Sequence, residues 1–305
     1  MNTKTALFLQ KPEILIRQEP ELRVLFTEFL PDYEPTFAGS AEDVEKDANF
    51  DLVITSFLPF FPDVMQKIAK PAHLHFTSSG TDKLHDYEGQ FDLDGVRITS
   101  SAGVNAVSIA EHITGVMLSF ARNLHLYRDQ QNKREWKRYW HQELSGRKVC
   151  IVGMGHIGKE TAVRCKAMGL QVTACVRSLR SFPGVDEVIE TITLKDRIGE
   201  FDYVVLSLPL TPDTVSLIDD AMLTRMNPES VLINVSRGEI VDEKALISHL
   251  KTRSIKGAAL DVFETEPLPE DHPLWDMSNV ILTPHVAGTT QKYMRNMFGI
   301  LRGKL

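Results

Sequence analysis

Three apolar runs in the last third of the chain each lead into a residue able to serve one reaction. Val231–Val235 runs into Ser236-Arg237-Gly238, and Gly257–Leu260 into Asp261-Val262-Phe263-Glu264-Thr265-Glu266-Pro267. Val280–Leu282 runs into Thr283-Pro284-His285-Val286-Ala287-Gly288. Arginine can hold a carboxylate bidentately and polarise a neighbouring carbonyl. Histidine can give a proton to a carbonyl oxygen as a hydride arrives, or take it back in reverse. A carboxylate beside that histidine orients the ring and stabilises its protonated form. Arg237, Glu266 and His285 are thus a set suited to interconverting a 2-oxo acid and a 2-hydroxy acid. Each alone is ordinary: strand-end histidines are commonly structural, and lone arginines and glutamates commonly form surface ion pairs.

A hydride needs a carrier, and an earlier segment offers a place for one. Lys148–Val152 runs directly into Gly153-Met154-Gly155-His156-Ile157-Gly158 and then into a helical pattern. Between a strand and a helix, this spacing fits a dinucleotide. Gly153 allows the tight turn, Gly155 the close approach of a pyrophosphate, and Gly158 close helix–strand packing. The phosphates would rest on the helix N-terminus. The next strand would end in an acidic residue if NAD were preferred, to bind the ribose 2′-hydroxyl. Here it ends in Val176-Arg177-Ser178-Leu179-Arg180. Arg177, Ser178 and Arg180 suit a 2′-phosphate, so NADP(H) is expected over NAD(H).

These residues need a scaffold of parallel strands. From Lys148 onward, six apolar runs (148–152, 171–176, 203–208, 230–234, 257–260, 280–282) alternate with helical stretches at 157–168, 219–226 and 242–251. The rhythm predicts a doubly wound sheet. The first hundred residues repeat it more weakly, with strands at 5–9, 51–57, 73–77 and 96–99 and helices at 41–49 and 63–70. Between the two lies a buried helix, carried by Val107, Ile109, Ala110, Ile113, Val116, Met117, Phe120 and Ala121. The fold class is α/β.

The remaining composition narrows the function. At 305 residues the chain is long enough for two domains. Its net charge of −7 argues against broad affinity for nucleic acid or anionic membranes. Arg122–Lys148 holds eight Lys/Arg with Trp136, Tyr139 and Trp140. The reading preferred over a nucleic-acid grip is a solvated helix and connector whose aromatics pack on a neighbour or a second subunit. Three cysteines, Cys150, Cys165 and Cys175, lack metal-ligand spacing, so core packing and a reducing cytoplasm are expected, with no metal. No export signal and no apolar stretch of membrane-spanning length is present.

Taken in order, these motifs resemble the D-isomer-specific 2-hydroxyacid dehydrogenases over nearly the whole chain. The likeness is strongest at Val152–Gly158, Leu206–Thr214, Leu232–Val241, Ala258–Pro267 and Pro273–Gly288. It implies Arg237 as substrate-carboxylate binder, Glu266 as partner of the histidine, and His285 as general acid/base. It implies Asp261 at the nicotinamide carboxamide, and Leu208, Pro209 and Thr214 along the dinucleotide, with Val235, Ser236 and Gly288 also lining it. Met154, His156 and Ile157 join the glycines there. Ser79 and Gly80, in Phe76-Thr77-Ser78-Ser79-Gly80-Thr81-Asp82, match a loop whose amides hold the substrate carboxylate. The resemblance also implies two Rossmann-like domains with doubly wound parallel sheets, the second flavodoxin-like: a dinucleotide domain at 100–286 inserted into a substrate domain of 1–99 and 287–305. The active site would lie in the cleft between them, in a homodimer. The 177–180 loop, followed by Phe182-Pro183-Gly184-Val185, resembles that of NADPH-using glyoxylate/hydroxypyruvate reductases. The chain ends at Leu305, where members often continue, consistent with a C-terminal truncation.

The expected activity is therefore NADP-dependent reduction of short 2-oxo acids, such as glyoxylate or hydroxypyruvate, to D-2-hydroxy acids. The alternative is a dinucleotide-sensing, corepressor-like module without turnover. Retention of Arg237, Glu266 and His285 favours the enzyme.

Overall fold

The computed structural model describes residues 3–80 and 82–305; Thr81, within the 76–82 motif, lies outside them. The chain divides into two compact units, one of residues up to Asn105 together with Thr290–Leu305, the other Ala106–Thr289.

In the first unit the chain runs β1 (Lys4–Leu9), α1 (Pro12–Phe29), β2 (Tyr33–Ala38), β3 (Leu52–Thr55), α2 (Phe61–Lys67), β4 (His73–Phe76) and β5 (Arg97–Ser100). The strands form one parallel sheet in the order β2-β1-β3-β4-β5. β1 and β3 carry continuous apolar or β-branched stretches, Ala6–Leu9 and Leu52–Thr55, because both faces are covered, whereas β4 alternates His73, Leu74, His75 and Phe76, all buried. The predicted helix at 41–49 is a series of turns instead. Asp43 accepts from the amides of Gly39 and Ser40, both at 2.9 Å, and Asp47 takes φ +58°. These are local side-chain bonds that compete with helix. The pattern also missed α1, whose Pro20 interrupts its helical signature, and edge strand β2, which contains Pro35.

β4 carries two buried histidines on one face. His75 Nδ1 and Nε2 lie 2.8 Å and 2.9 Å from the hydroxyls of Thr99 and Ser101, and His73 Nε2 lies 2.6 Å from the same Thr99 hydroxyl. Burial, then the neighbouring His73 and Lys304, push the His75 pKa down to about 4.

The second unit contains α3 (Ala106–Ala121), α4 (Leu124–Lys133), β6 (Lys148–Val152), α5 (His156–Ala167), β7 (Gln171–Val176), β8 (Glu187–Glu190), α6 (Leu194–Arg197) and β9 (Tyr203–Leu206). It continues through α7 (Asp220–Arg225), β10 (Val231–Asn234), α8 (Glu243–Thr252), β11 (Gly257–Leu260) and β12 (Val280–Leu282). The chain then returns to the first unit as α9 (Tyr293–Arg302). There Phe298 stacks on Phe8 and meets Phe26 edge-on. Met297, Phe298 and Leu301 are fully buried, each stabilising the fold by about 1.5–3 kcal/mol.

The second sheet is parallel throughout, in the order β12-β11-β10-β9-β6-β7-β8. It has one more strand, β8, than the six expected, because this polar edge strand lacks an apolar run. The direction of winding reverses between β6 and β9, the switch point where such sheets bind ligands. α3 buries Ile109, Ile113, Met117 and Phe120 in the core beneath α5, as its periodicity predicted, but Val107, expected on the same face, is exposed. After α4 the chain becomes an irregular connector on which Trp136 and Trp140 are 93% and 99% exposed. Among the described residues, no helix is long and apolar enough to cross a membrane.

Candidate active site

Strand register brings the predicted residues to one edge. Cys175, Val152, Leu206, Asn234, Leu260 and Leu282 form a continuous row across β7, β6, β9, β10, β11 and β12. The segments beginning at residues 153, 176, 207, 235, 261 and 283 therefore all leave the C-terminal edge of one sheet.

The glycine loop has the shape a dinucleotide requires. Gly153 adopts φ +97°, and a Cβ there would stand 2.5 Å from the Ser207 carbonyl oxygen. A Cβ at Gly158 would stand 2.1 Å from the Gly153 carbonyl oxygen, so only glycine lets α5 start this close to β6. Around Gly155, by contrast, nothing lies within 4 Å of a Cβ position: its face is open. Ser207 Oγ donates to the Gly153 carbonyl at 2.8 Å and ties the loop to β9. Met154 is buried in the core and Ile157 packs against it, so these two can offer only backbone to a ligand. His156 is exposed at the start of α5.

Beyond β7, Arg177, Ser178 and Arg180 are exposed, and the Arg180 guanidinium stands over the Phe182 ring, 5.0 Å from its centroid. Among the described residues neither arginine is in an ion pair, so both can meet an anion. Thr214 closes the loop after β9: its hydroxyl accepts from Thr211 N at 2.7 Å and donates to Pro209 O at 2.9 Å. Leu208 is half-buried there and Pro209 exposed.

Asn234 shapes the turn that presents Arg237. Its Oδ1 accepts from Ser236 N and Oγ at 3.0 Å and 2.7 Å, and its Nδ2 donates to Arg237 O at 2.9 Å. Val235 and Ser236 are buried beneath this turn. The Arg237 guanidinium donates to Ser236 O at 2.7 Å and is half-buried.

The Glu266 carboxylate bridges two segments. Oε1 accepts from Phe263 N at 3.1 Å, and Oε2 lies 2.8 Å from His285 Nδ1. With Nδ1 engaged, Nε2 is the ring atom left to exchange a proton with a substrate. The imidazole is 52% exposed, accessible to one. His285 itself has φ +52°, a left-handed conformation that costs a non-glycine residue about 1–2 kcal/mol.

Asp261 holds this turn. Its buried carboxylate accepts from Thr283 Oγ1, Val286 N and Ala287 N. His112, from α3, faces it; burial lowers that imidazole's pKa while Asp261 opposes the shift. Gly288 follows the turn, half-buried. Sequence reasoning named Asp261 but missed Asn234, Ser207 and Thr283, whose roles as braces depend on register. Their only sequence signal is a position at, or one residue beyond, a strand end.

Ser79 and Gly80 belong to the other unit, on the loop after β4. Ser79 Oγ donates to Asn105 Oδ1 at 3.2 Å, Ser79 O accepts from Ser100 Oγ at 3.2 Å, and Gly80 O accepts from Ser78 Oγ at 2.8 Å. The loop is thus pinned internally at both residues.

Residues 114–287 match the family model described as D-isomer specific 2-hydroxyacid dehydrogenase, NAD binding domain. A glyoxylate reductase from Korarchaeum cryptofilum is 34% identical over 67% of this chain and 63% of its own length. A D-3-phosphoglycerate dehydrogenase from Methanocaldococcus jannaschii is 34% identical over 81% of this chain, which spans only 47% of that protein. The NADPH-dependent glyoxylate/hydroxypyruvate reductase of Sinorhizobium meliloti, solved in complex with NADP and sulfate, superposes with a TM-score of 0.82 at 26% identity. That superposition covers 98% of this chain and 93% of that one. The chain belongs to the D-isomer specific 2-hydroxyacid dehydrogenase family.

Proposed function

We propose that the protein is an NADP(H)-dependent reductase of short 2-oxo acids, glyoxylate and hydroxypyruvate among them, producing D-2-hydroxy acids. The observation that carries it is the pairing of His285 with Glu266 on the same sheet edge as Arg237 and a glycine loop with an open Gly155.

The residues fit the nucleotide. Gly155 leaves room for a pyrophosphate at the start of α5, and Arg177, Ser178 and Arg180 supply cationic and hydroxyl groups for a 2′-phosphate. Met154, His156 and Ile157 complete that loop. Leu208, Pro209, Thr214, Val235, Ser236 and Gly288 flank the same edge. Bound NADPH supplies the hydride. Arg237 binds the substrate carboxylate and draws electron density from the neighbouring carbonyl. His285 Nε2 gives its proton to the carbonyl oxygen as the carbon accepts the hydride, yielding the alcohol. Glu266 fixes the ring through Nδ1 and stabilises the imidazolium before transfer.

The Sinorhizobium reductase lends support to both the substrate class and the cofactor. A homodimer belongs to the same reading, with a second copy covering the exposed Trp136 and Trp140.

Initial rates over a panel of 2-oxo acids, with 3-phosphoglycerate in the oxidative direction, test the reading with each nucleotide. Turnover of a short 2-oxo acid with higher kcat/KM for NADPH is expected. A preference for NADH above about tenfold overturns the cofactor assignment. Nucleotide binding without turnover of any acid overturns the enzyme and leaves the corepressor-like reading.

A further inference from the structure

His285 is held from both sides by a single residue. The Asp261 carboxylate, 2% exposed, accepts from Val286 N at 2.9 Å and Ala287 N at 3.0 Å, just after the histidine. It also accepts from Thr283 Oγ1 at 2.5 Å, two residues before it. The Asp261 backbone carbonyl accepts from His285 N at 2.9 Å. Four donors from one five-residue turn therefore converge on Asp261, and the residue at the turn's centre is the one in the left-handed conformation. That conformation is disfavoured for histidine and persists only where the surroundings impose it.

We propose that Asp261 is the positioning residue for His285. Its carboxylate imposes the strained turn that sets the imidazole against Glu266, in addition to any contact with the nucleotide. The inference rests on the proposed role of His285 as proton donor. An ionised carboxylate only accepts, so it can meet three donors at once. Asparagine has the same shape, but its amide nitrogen would face an N–H or O–H with another donor. Asp261→Asn therefore preserves volume and breaks the convergence.

The first test is hydrogen exchange on the nucleotide-free protein. In Asp261→Asn, amides in the 283–289 segment are expected to exchange at least about tenfold faster, the equivalent of one lost hydrogen bond. Exchange in the 148–167 segment should stay as in wild type. In steady-state assays kcat should fall at least about tenfold while KM for NADPH changes less than about threefold. Thr283→Val removes one donor and leaves the carboxylate intact. It should give a smaller change in the same direction, and it carries the test alone if Asp261→Asn does not fold. Unchanged exchange at 283–289 overturns the proposal. So does a raised KM for NADPH with kcat retained, which would place the residue's role at the nucleotide. If wild type turns over no 2-oxo acid, the enzymatic reading fails while the exchange result still decides whether Asp261 holds the turn.

Discussion

Gly238 and Phe263 touch backbone to backbone: a Cβ at Gly238 would stand 1.9 Å from the Phe263 carbonyl carbon and 2.1 Å from its oxygen. Gly238 follows Arg237, and Phe263 N donates to Glu266. The segment that presents the arginine is therefore pressed against the one that presents the glutamate. Gly238→Ala cannot be absorbed by a flexible side chain and should cost at least about 1–3 kcal/mol. It should also separate Arg237 from Glu266, lowering kcat/KM beyond what the drop in Tm explains. Thermal melts and steady-state kinetics on the same preparation check this.

Loss of the imidazole should be the most severe change to the site. His285→Ala is expected to lower kcat by about 10²–10⁴-fold, the usual contribution of a positioned proton donor. Pre-steady-state hydride transfer, followed by NADPH absorbance, measures the loss directly.

Glu266→Gln keeps the shape but removes the charge opposite His285 Nδ1. A neutral partner stabilises the imidazolium less. The alkaline limb of the pH profile for 2-oxo acid reduction should therefore move to lower pH, narrowing the active range. An unshifted limb would show that Glu266 does not support the protonated ring.

Cofactor choice should respond to the 177–180 loop. Arg177→Asp places a carboxylate where a 2′-phosphate is proposed to bind, replacing attraction with repulsion. The ratio of kcat/KM for NADPH to that for NADH should fall by at least about tenfold, with kcat for NADH little changed.

The first unit should weaken in acid for a reason separate from catalysis. His75 is neutral in the fold, its pKa lowered to about 4 by burial and then by His73 and Lys304. An unfolded histidine, by contrast, titrates near 6.5. Between those values the unfolded chain binds a proton that the folded chain does not, so stability falls as pH drops through this window. The full loss is about 3 kcal/mol. It is present as stability above pH 6.5 and gone below about pH 4. Arg97 and Lys304 contribute positive charge around the network, and burial lowers the pKa of His73 as well. Urea midpoints from pH 7 to 4.5 should decline in wild type and decline less in His75→Asn.

Much of the second unit was legible because buried parallel strands spell themselves as apolar runs and because three glycines mark the turn after β6. Strand ends could be located closely enough to put Arg237, Glu266 and His285 on one edge. What escaped depended on contacts distant in sequence. Edge strands β2 and β8 are cut short by polar residues or proline and carry no long run, and α1 hides behind Pro20. The 41–49 stretch has helical composition, but Asp43 spends its carboxylate on the amides of Gly39 and Ser40. Asp261 looked like one more strand-end acid. Its grip on Thr283, Val286 and Ala287 exists only once β11 and β12 are paired.

The first unit is discontinuous: Phe298 on α9 stacks against Phe8 on β1, with all of Ala106–Thr289 between them in the chain. During synthesis, Phe8 and Phe26 leave the ribosome long before their cover exists. The seven-stranded unit can close first, while the five-stranded one waits with an aromatic face open to chaperones or to other nascent chains. A nonsense mutation or proteolytic cut shortly before Tyr293 would thus spare the nucleotide loop and the Glu266–His285 pair. It would still yield a protein prone to aggregation, the damage falling on Phe8 and Phe26, at the opposite end of the chain from the lesion.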